Sequence, residues 1–199
     1  SMIQLSNHDH SRFLTRTNGI VGRINTHKSE DASLGVKLEV MRQAIMMQLT
    51  LPGAPTVYYG DEVGVCGFTD PDSRRTYPWG NENLELLEYH RYMNRWHRIR
   101  KELKHGSLIK LISKDGIVGY ARVSKDNVSV IIIYTGREKK KIDIPLYLTG
   151  MRDNAAISRV IYTNTTGYNV GIVTYFNDNG HVSMEIEPHS GYLLVSENL

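Results

Sequence analysis

The fold is decided by one stretch of sequence, Leu5-Ser6-Asn7-His8-Asp9-His10-Ser11-Arg12-Phe13. It follows a short apolar run from Met2 to Leu5 and places an imidazole, a carboxylate and a guanidinium within a few positions. An apolar run that ends in polar groups is typical of a buried strand whose carboxyl end carries a site, as in parallel sheets and (β/α)₈ barrels. A plain polar turn after a strand is the alternative, and the stretch alone leaves both open.

A second stretch with the same pattern is Pro52-Gly53-Ala54-Pro55-Thr56-Val57-Tyr58-Tyr59-Gly60-Asp61-Glu62. Its β-branched and aromatic residues predict a strand from Thr56 to Gly60 that ends in acidic residues. Apolar residues at helical spacing predict helices from about Leu34 to Leu51 and from about Asn83 to Leu103. The order strand, helix, strand, helix requires a parallel sheet, so residues 1–104 are predicted to form an α/β domain.

The pattern changes after His105, where short apolar runs alternate with turn residues and no helical stripe continues. This pattern predicts an antiparallel β-sandwich over residues 105–199, so the fold class is α/β followed by all-β. The predicted strands are Ser107–Ser113, Ile117–Ser124, Val128–Tyr134, Lys141–Ile144, Ser158–Tyr162, Val170–Phe176, Val182–Ile186 and Tyr192–Val195.

Composition excludes several classes of function. The 24 basic and 21 acidic residues give a net charge of only +3, which does not favour nucleic acid as a partner. A single cysteine, Cys66, excludes internal disulfides and multi-cysteine metal sites. The neighbours His8, Asp9 and His10 point to alternate sides of an extended chain, so neither a metal nor another cofactor is expected. No apolar run reaches the roughly 18 residues of a membrane span and no signal-peptide pattern is present, which predicts a cytoplasmic protein.

Three stretches in order resemble the α-amylase family of glycoside hydrolases. They are Asn7-His8-Asp9, the Pro52–Glu62 stretch, and Thr69-Asp70-Pro71-Asp72-Ser73-Arg74-Arg75, and the last is most similar to the neopullulanase, cyclomaltodextrinase and maltogenic-amylase branch. The resemblance implies that residues 1–104 are the last part of a (β/α)₈ TIM barrel, with its seventh and eighth strands. It implies that residues 105–199 are the β-sandwich that follows the barrel.

The resemblance also implies roles for the first stretch. Asp9 would be the catalytic carboxylate that is neither nucleophile nor general acid and that stabilises the transition state. His8 and Asn7 would contact the same sugar. Arg12 matches a family position as well, where a sugar contact and a structural ion pair remain alternatives.

The third stretch would hold the neighbouring sugar. Asp70 and Arg74 match positions that bind the sugar one subsite further from the cleavage point, and a carboxylate with a forked guanidinium suits vicinal hydroxyls. Turn formation beside Pro71 is the alternative for Asp70 and Asp72. The resemblance makes Asp61 and Glu62 structural, anchoring loops, although their place at a strand end also invites a catalytic interpretation.

Two motifs of the family do not occur in this chain. The nucleophile of the family lies in a Gly-Phe-Arg-x-Asp motif and its general acid in a glutamate motif on the next strand, and neither is present. The chain is therefore expected to be the C-terminal part of a retaining enzyme that acts on α-1,4-glucosidic bonds of maltooligosaccharides or cyclomaltodextrins. Alone it is expected to be inactive. The alternative is a carbohydrate-binding or structural β module with a non-catalytic barrel remnant.

The missing strands have a further consequence for the first domain. Two strands alone would leave open sheet edges and expose the helix faces Leu38/Met41/Ile45 and Tyr89/Met93/Trp96. The sequence therefore predicts self-association, or binding to the N-terminal part of the same enzyme, through residues 1–104.

Overall fold

The computed structural model describes residues 1–20 and 22–196. Contacts within the chain divide it into two compact units. The first unit consists of Ser1–Gln48 and Gly53–Met93, and the second of Leu49–Pro52 and Asn94–Leu199. The domain boundary between residues 104 and 105 stays a prediction of the sequence.

The first unit is built on two short parallel strands, β1 (Met2–Gln4) and β2 (Ala54–Thr56), with Ile3 opposite Pro55. The predicted parallel pairing is thus confirmed, and it requires the long connection between the strands. That connection contains α1 (Phe13–Arg16), 3₁₀ turns at Ile24–Thr26 and Ser29–Ser33, and α2 (Leu38–Thr50). After β2 the chain forms 3₁₀ turns at Asp61–Val63 and Asp72–Arg74 and then α3 (Leu84–Ile99).

The predicted strand Thr56–Gly60 is wrong, because β2 ends at Thr56. Beyond Thr56 the backbone no longer pairs with β1. The carbonyl of Tyr59 instead accepts a hydrogen bond from the Arg12 side chain. Gly60 then has a φ of +87°. Only glycine adopts that conformation without steric cost.

The predicted helix limits also differ from the observed ones. Helix α2 begins at Leu38 rather than near Leu34, after the 3₁₀ turn and after Gly35 at a φ of +63°. The helix predicted to reach Leu103 is interrupted at Arg100, whose ψ of 114° is extended, and α4 (Lys101–His105) follows.

The helix faces that were predicted to be exposed are largely buried. Met41 and Ile45 on α2 and Tyr89 and Met93 on α3 are all 0% exposed, so the prediction of open faces is wrong for them. The hydroxyl of Tyr89 donates to the carbonyl of Arg42 at 2.8 Å and links the two helices. The chain itself therefore covers these side chains, which the prediction from two isolated strands did not consider.

The second unit is mainly antiparallel sheet. Its strands are β3 (Ser107–Lys114), β4 (Ile117–Val123), β5 (Val128–Tyr134), β6 (Lys140–Pro145), β7 (Ala156–Asn164), β8 (Gly167–Asn169), β9 (Val173–Phe176), β10 (His181–Ile186) and β11 (Ser190–Ser196). The larger sheet has the order β3-β4-β5-β11-β7-β8, with β9 also paired to β7, and β6 pairs with β10 separately. All of these pairings within the second unit are antiparallel, as predicted.

One hydrophobic core joins the two sheets of the second unit. Val130 and Ile132 of β5 belong to the same buried cluster as Ile144 of β6 and Ile186 of β10. Strand β6 alternates exposed Lys141 and Asp143 with buried residues, as expected when one face of a sheet meets solvent.

Candidate functional site

The polar stretch after β1 forms a turn that exposes the side chains of two predicted site residues. The Oδ1 atom of Asn7 accepts hydrogen bonds from the backbone N–H groups of Asp9 (2.9 Å) and His10 (3.0 Å). This local bonding is the way in which asparagine stabilises turns. The side chains of His8 and Asp9 are 57% and 63% exposed, and His8 Nε2 lies 3.3 Å from Asp9 Oδ1. An imidazole and a carboxylate are therefore adjacent and accessible.

Asp70 and Arg74 form a second accessible pair. The Nε atom of Arg74 donates to Asp70 Oδ1, and each side chain is half exposed. This hydrogen bond raises the pKa of Arg74, and the negative charge of Asp9 contributes to the same effect. The loop of Asp70 and Arg74 also contacts the turn of Asp9 directly, because the hydroxyl of Ser73 donates to the carbonyl of His8 at 2.7 Å. The structure therefore brings together residues that the sequence separates by more than sixty positions.

The loop that carries this pair is fixed by Asp72 and Ser73. Both carboxylate oxygens of Asp72 accept from Arg75, at 2.9 and 2.8 Å, and one also accepts from the N–H of Phe68. The hydroxyl of Ser73 donates to the carbonyl of His8 at 2.7 Å. Asp72 thus stabilises the turn, and Ser73 holds the loop against the His8–Asp9 turn. Sequence reasoning missed Ser73, and nothing in a serine within a polar loop would have indicated this contact.

Gly67 allows this loop to come close to the chain. A Cβ atom at Gly67 would lie 2.4 Å from the carbonyl oxygen of Asp72, closer than real Cβ contacts. The N–H of Gly67 also donates to the hydroxyl of Thr15. The close approach explains why glycine occupies this position.

Arg12 lies beneath the exposed residues and is completely buried. Its Nη1 is 3.1 Å from Asp61 Oδ1 and donates to the carbonyl of Tyr59, while its Nε donates to the carbonyl of Ser73. Its guanidinium carbon stacks 4.0 Å from the centre of the Tyr58 ring. These contacts support the structural ion pair, one of the two alternatives for Arg12. A direct sugar contact by Arg12 stays a prediction.

Asp61 is the buried partner of this ion pair. Burial raises the pKa of its carboxyl group, and hydrogen bonding to Ser6 together with the positive charge of Arg12 opposes that shift. The carboxylate is 5% exposed, so it anchors Arg12 rather than facing solvent.

Across residues 1–20 and 22–196, no group of three or more His, Cys, Asp or Glu side chains is arranged to hold a metal ion. Within the same described ranges no helix has the length and apolarity needed to cross a membrane.

Comparison with known proteins gives consistent matches. A family model described as the alpha amylase catalytic domain matches residues 1–116. An amylopullulanase from Thermoanaerobacterium thermosulfurigenes is 27% identical over 211 residues, which cover 100% of this chain and 11% of the relative. A cyclomaltodextrinase from Thermoanaerobacter pseudethanolicus is 31% identical over 140 residues, covering 69% of this chain and 21% of the relative. The resemblance inferred from the motifs is thereby confirmed.

A solved structure shows the same fold. The α-amylase from Geobacillus thermoleovorans in complex with acarbose superposes with a TM-score of 0.77 at 19% identity, over 98% of this chain and 38% of that chain. At that identity the likeness concerns the fold alone. The first curated relatives are much longer than this chain, which spans between 11% and 23% of their lengths.

Proposed function

The chain belongs to the α-amylase family, and from that premise we propose that it is part of a retaining α-glucan hydrolase or transglycosylase. The proposed substrates are maltooligosaccharides or cyclomaltodextrins with α-1,4-glucosidic bonds. We infer that β1 and β2 are the last two strands of a (β/α)₈ barrel and that β3–β11 form the sandwich after it. The observation that carries the proposal is the exposed Asp9 carboxylate, on a turn that Ser73 joins to the loop of the exposed Asp70–Arg74 pair.

In this proposal Asp9 stabilises the transition state. Retaining hydrolysis uses a nucleophilic carboxylate and a carboxylic acid about 5 Å apart and passes through an oxocarbenium-like transition state. Those two groups would come from another part of the enzyme. The exposed Asp9 carboxylate accepts hydrogen bonds from sugar hydroxyls, and these bonds strengthen as positive charge develops on the ring. His8, 3.3 Å from Asp9, is placed to contact the same sugar.

Asp70 and Arg74 bind the neighbouring sugar in this proposal. Arg74 keeps further N–H donors while its Nε bonds Asp70, so the pair offers donors and an acceptor to vicinal hydroxyls. Both side chains are half exposed and therefore accessible to a ligand. These contacts are equally available to the ground state and the transition state, so they are expected to affect binding more than the chemical step.

The test is kinetic and uses the enzyme that contains this chain together with the remaining barrel strands. Asp9→Asn is expected to lower kcat by roughly 10²–10³-fold with a smaller change in KM, because it removes interactions that strengthen in the transition state. Arg74→Ala is expected to raise KM and to change product length. Glu88→Gln, an exposed carboxylate that pairs with Arg91 on α3, is the control and should leave both constants unchanged. Equal losses of ground-state binding in the Asp9 and Arg74 variants would contradict the assigned roles.

A further inference from the structure

The second unit contains a groove that the proposed reaction does not use. It has a volume of about 520 Å³ and is lined by Leu111–Lys114 of β3, Lys140–Asp143 of β6 and His181 of β10. Within the described part of the chain, β3 pairs only with β4 and β6 only with β10, so each strand keeps one unpaired edge. The volume falls in the range of about 300–1,000 Å³ that is usual for small-ligand sites.

One wall of the groove is a fixed polar cluster. The Nδ1 atom of His181 lies 2.5 Å from Asp143 Oδ2, and the hydroxyl of Ser183 donates to the other oxygen of Asp143 at 3.1 Å. The two side chains are thus in direct contact, although His181 Nδ1 does not have hydrogen-bond geometry to the carboxylate. The His181 side chain is 41% exposed, so a ligand in the groove can reach it.

An exposed aromatic ring stands beside this cluster. Tyr147 is 60% exposed, and its ring centre is 5.4 Å from that of His181. The N–H of Tyr147 donates to the carbonyl of Gly180 at 2.8 Å. A Cβ atom at Gly180, which has a φ of +82°, would lie 2.8 Å from the Cβ of Tyr147. The turn at Gly180 therefore fixes the backbone under a ring that stays open to solvent.

The charges around the groove favour a neutral ligand with many hydroxyl groups. Lys140 pairs with Asp115 at 3.0 Å, and Asp143 pairs with His181. With Lys114 and Lys141 included, the lining holds three lysines and two aspartates, so it offers both donors and acceptors with only a small excess of positive charge. Sugars combine an apolar ring face, which packs on aromatic side chains, with hydroxyls that bond to such charged groups.

We propose that this groove is a second α-glucan binding site, in which Tyr147 packs on a sugar ring and His181 and Lys141 bond its hydroxyls. The class of ligand rests on the proposed function, whereas the site itself rests on the groove, the ring and the His181–Asp143 pair. The groove belongs to the second unit, and Asp9 belongs to the first.

The test is titration of the full chain with maltoheptaose, followed by calorimetry and by NMR signals of the tyrosine and histidine rings. Tyr147→Ala is expected to weaken binding at the groove by about tenfold, because packing on an aromatic ring is lost. Tyr147→Phe keeps the ring and should bind like the unchanged chain. Tyr147 is exposed, so both variants should keep the thermal unfolding temperature, which serves as the control for folding.

A double variant, Asp70→Ala with Arg74→Ala, separates this site from the first one. If binding at the groove persists in the double variant and is about tenfold weaker in Tyr147→Ala, the inference holds. If the double variant loses all binding and Tyr147→Ala binds normally, the inference is overturned while the proposed function stands. Absence of saturable binding at millimolar maltoheptaose, or displacement of the sugar by inorganic pyrophosphate or by an extended peptide, also overturns it. The kinetic effect of Asp9→Asn tests the proposed function independently.

Discussion

At the scale of single residues, His90 on α3 connects burial with the pH dependence of stability. His90 is 6% exposed, and burial lowers its pKa below the ordinary value of 6.5, with a small opposing effect from Glu62. The unfolded chain therefore binds a proton on this residue at a pH where the folded chain does not. Above about pH 6.5, His90 is neutral in both states and does not lower the free energy of unfolding. As the pH falls below that value, the unfolded chain takes up the proton first and the free energy of unfolding decreases.

The variant His90→Gln tests this prediction, because glutamine stays neutral in both states. The free energy of unfolding, measured in urea between pH 7 and pH 5, is expected to fall less steeply in the variant. His105→Gln removes an exposed imidazole and should keep the original slope. An identical slope in His90→Gln and the unchanged chain would contradict the assignment.

The site residues show what sequence could predict at this scale. The motif predicts that Asn7, His8 and Asp9 contact the substrate, and this stays a prediction. The structure adds that Asn7 Oδ1 accepts hydrogen bonds from two backbone N–H groups of its own turn. Arg12 remained undecided from sequence, because its partner Asp61 and its buried position are products of tertiary packing. The Ser73 contact to His8 depends on the same packing and leaves no trace in local sequence.

At the scale of elements, Arg122 on β4 completes two helix ends. Its Nη1 donates to the carbonyls of Thr50, the last residue of α2, and Leu103 in α4, while its Nη2 donates to the carbonyl of Gly106. All three acceptors belong to the second unit, as Arg122 does. The last carbonyls of a helix have no partner within the helix, and a buried one without a partner costs about 1–3 kcal/mol. Arg122 is 1% exposed, so water does not readily supply the hydrogen bonds that its guanidinium gives to these carbonyls.

Arg122→Leu is therefore expected to lower the free energy of unfolding by about 3 kcal/mol or more. Chemical denaturation followed by circular dichroism measures this change. Arg98→Leu, which removes an exposed guanidinium from α3, is the matched control and should cost less than about 0.5 kcal/mol. A similar loss in both variants would show that Arg122 does not support the helix ends.

The strands and helices also differ in how well sequence predicts them. Predicted strands such as Val128–Tyr134 coincide with β5 because turn residues bound each apolar run. The Thr56–Gly60 strand was wrong because its β-branched and aromatic residues meet Arg12 and a left-handed Gly60 instead of a neighbouring strand. Tertiary contacts also accompany the break in the predicted long helix at Arg100. The Arg100 side chain donates hydrogen bonds to Glu102 and to the carbonyls of Ser196 and Val128, all within the second unit.

At the scale of the whole molecule, the isolated chain is expected to show no measurable hydrolysis of maltooligosaccharides. In the proposed function Asp9 stabilises the transition state, whereas the bond-making steps require a nucleophile and a general acid that the proposal assigns to other strands. Release of reducing ends by the purified chain measures this directly. Turnover that Asp9→Ala abolishes would contradict the prediction and would indicate that carboxylates such as Asp61 or Glu62 take part in the chemistry.

Self-association of the chain is the second expectation at this scale, and the structure attributes it to the sheet edges rather than to the helix faces. The faces of α2 and α3 around Met41 and Met93 are buried, so they do not drive association. The sheet edges remain, because among the described residues β1 and β2 pair only with each other. A two-stranded sheet is marginal alone, and open edges attract further strands. The 67% exposed Met2 adds apolar surface at this edge.

We therefore predict that the chain associates reversibly through β1 and β2, with a weight-average mass that rises with concentration in light scattering. Met2→Lys is expected to shift the equilibrium towards monomer, because a charge on an edge strand opposes pairing with another chain. Ile172→Lys places the same charge at a residue of similar exposure, 70%, in the second unit and should leave association unchanged. A mass equal to the monomer at every concentration would show that short edges of three residues do not suffice. Equal dissociation by both lysine variants would instead place the contact outside β1 and β2.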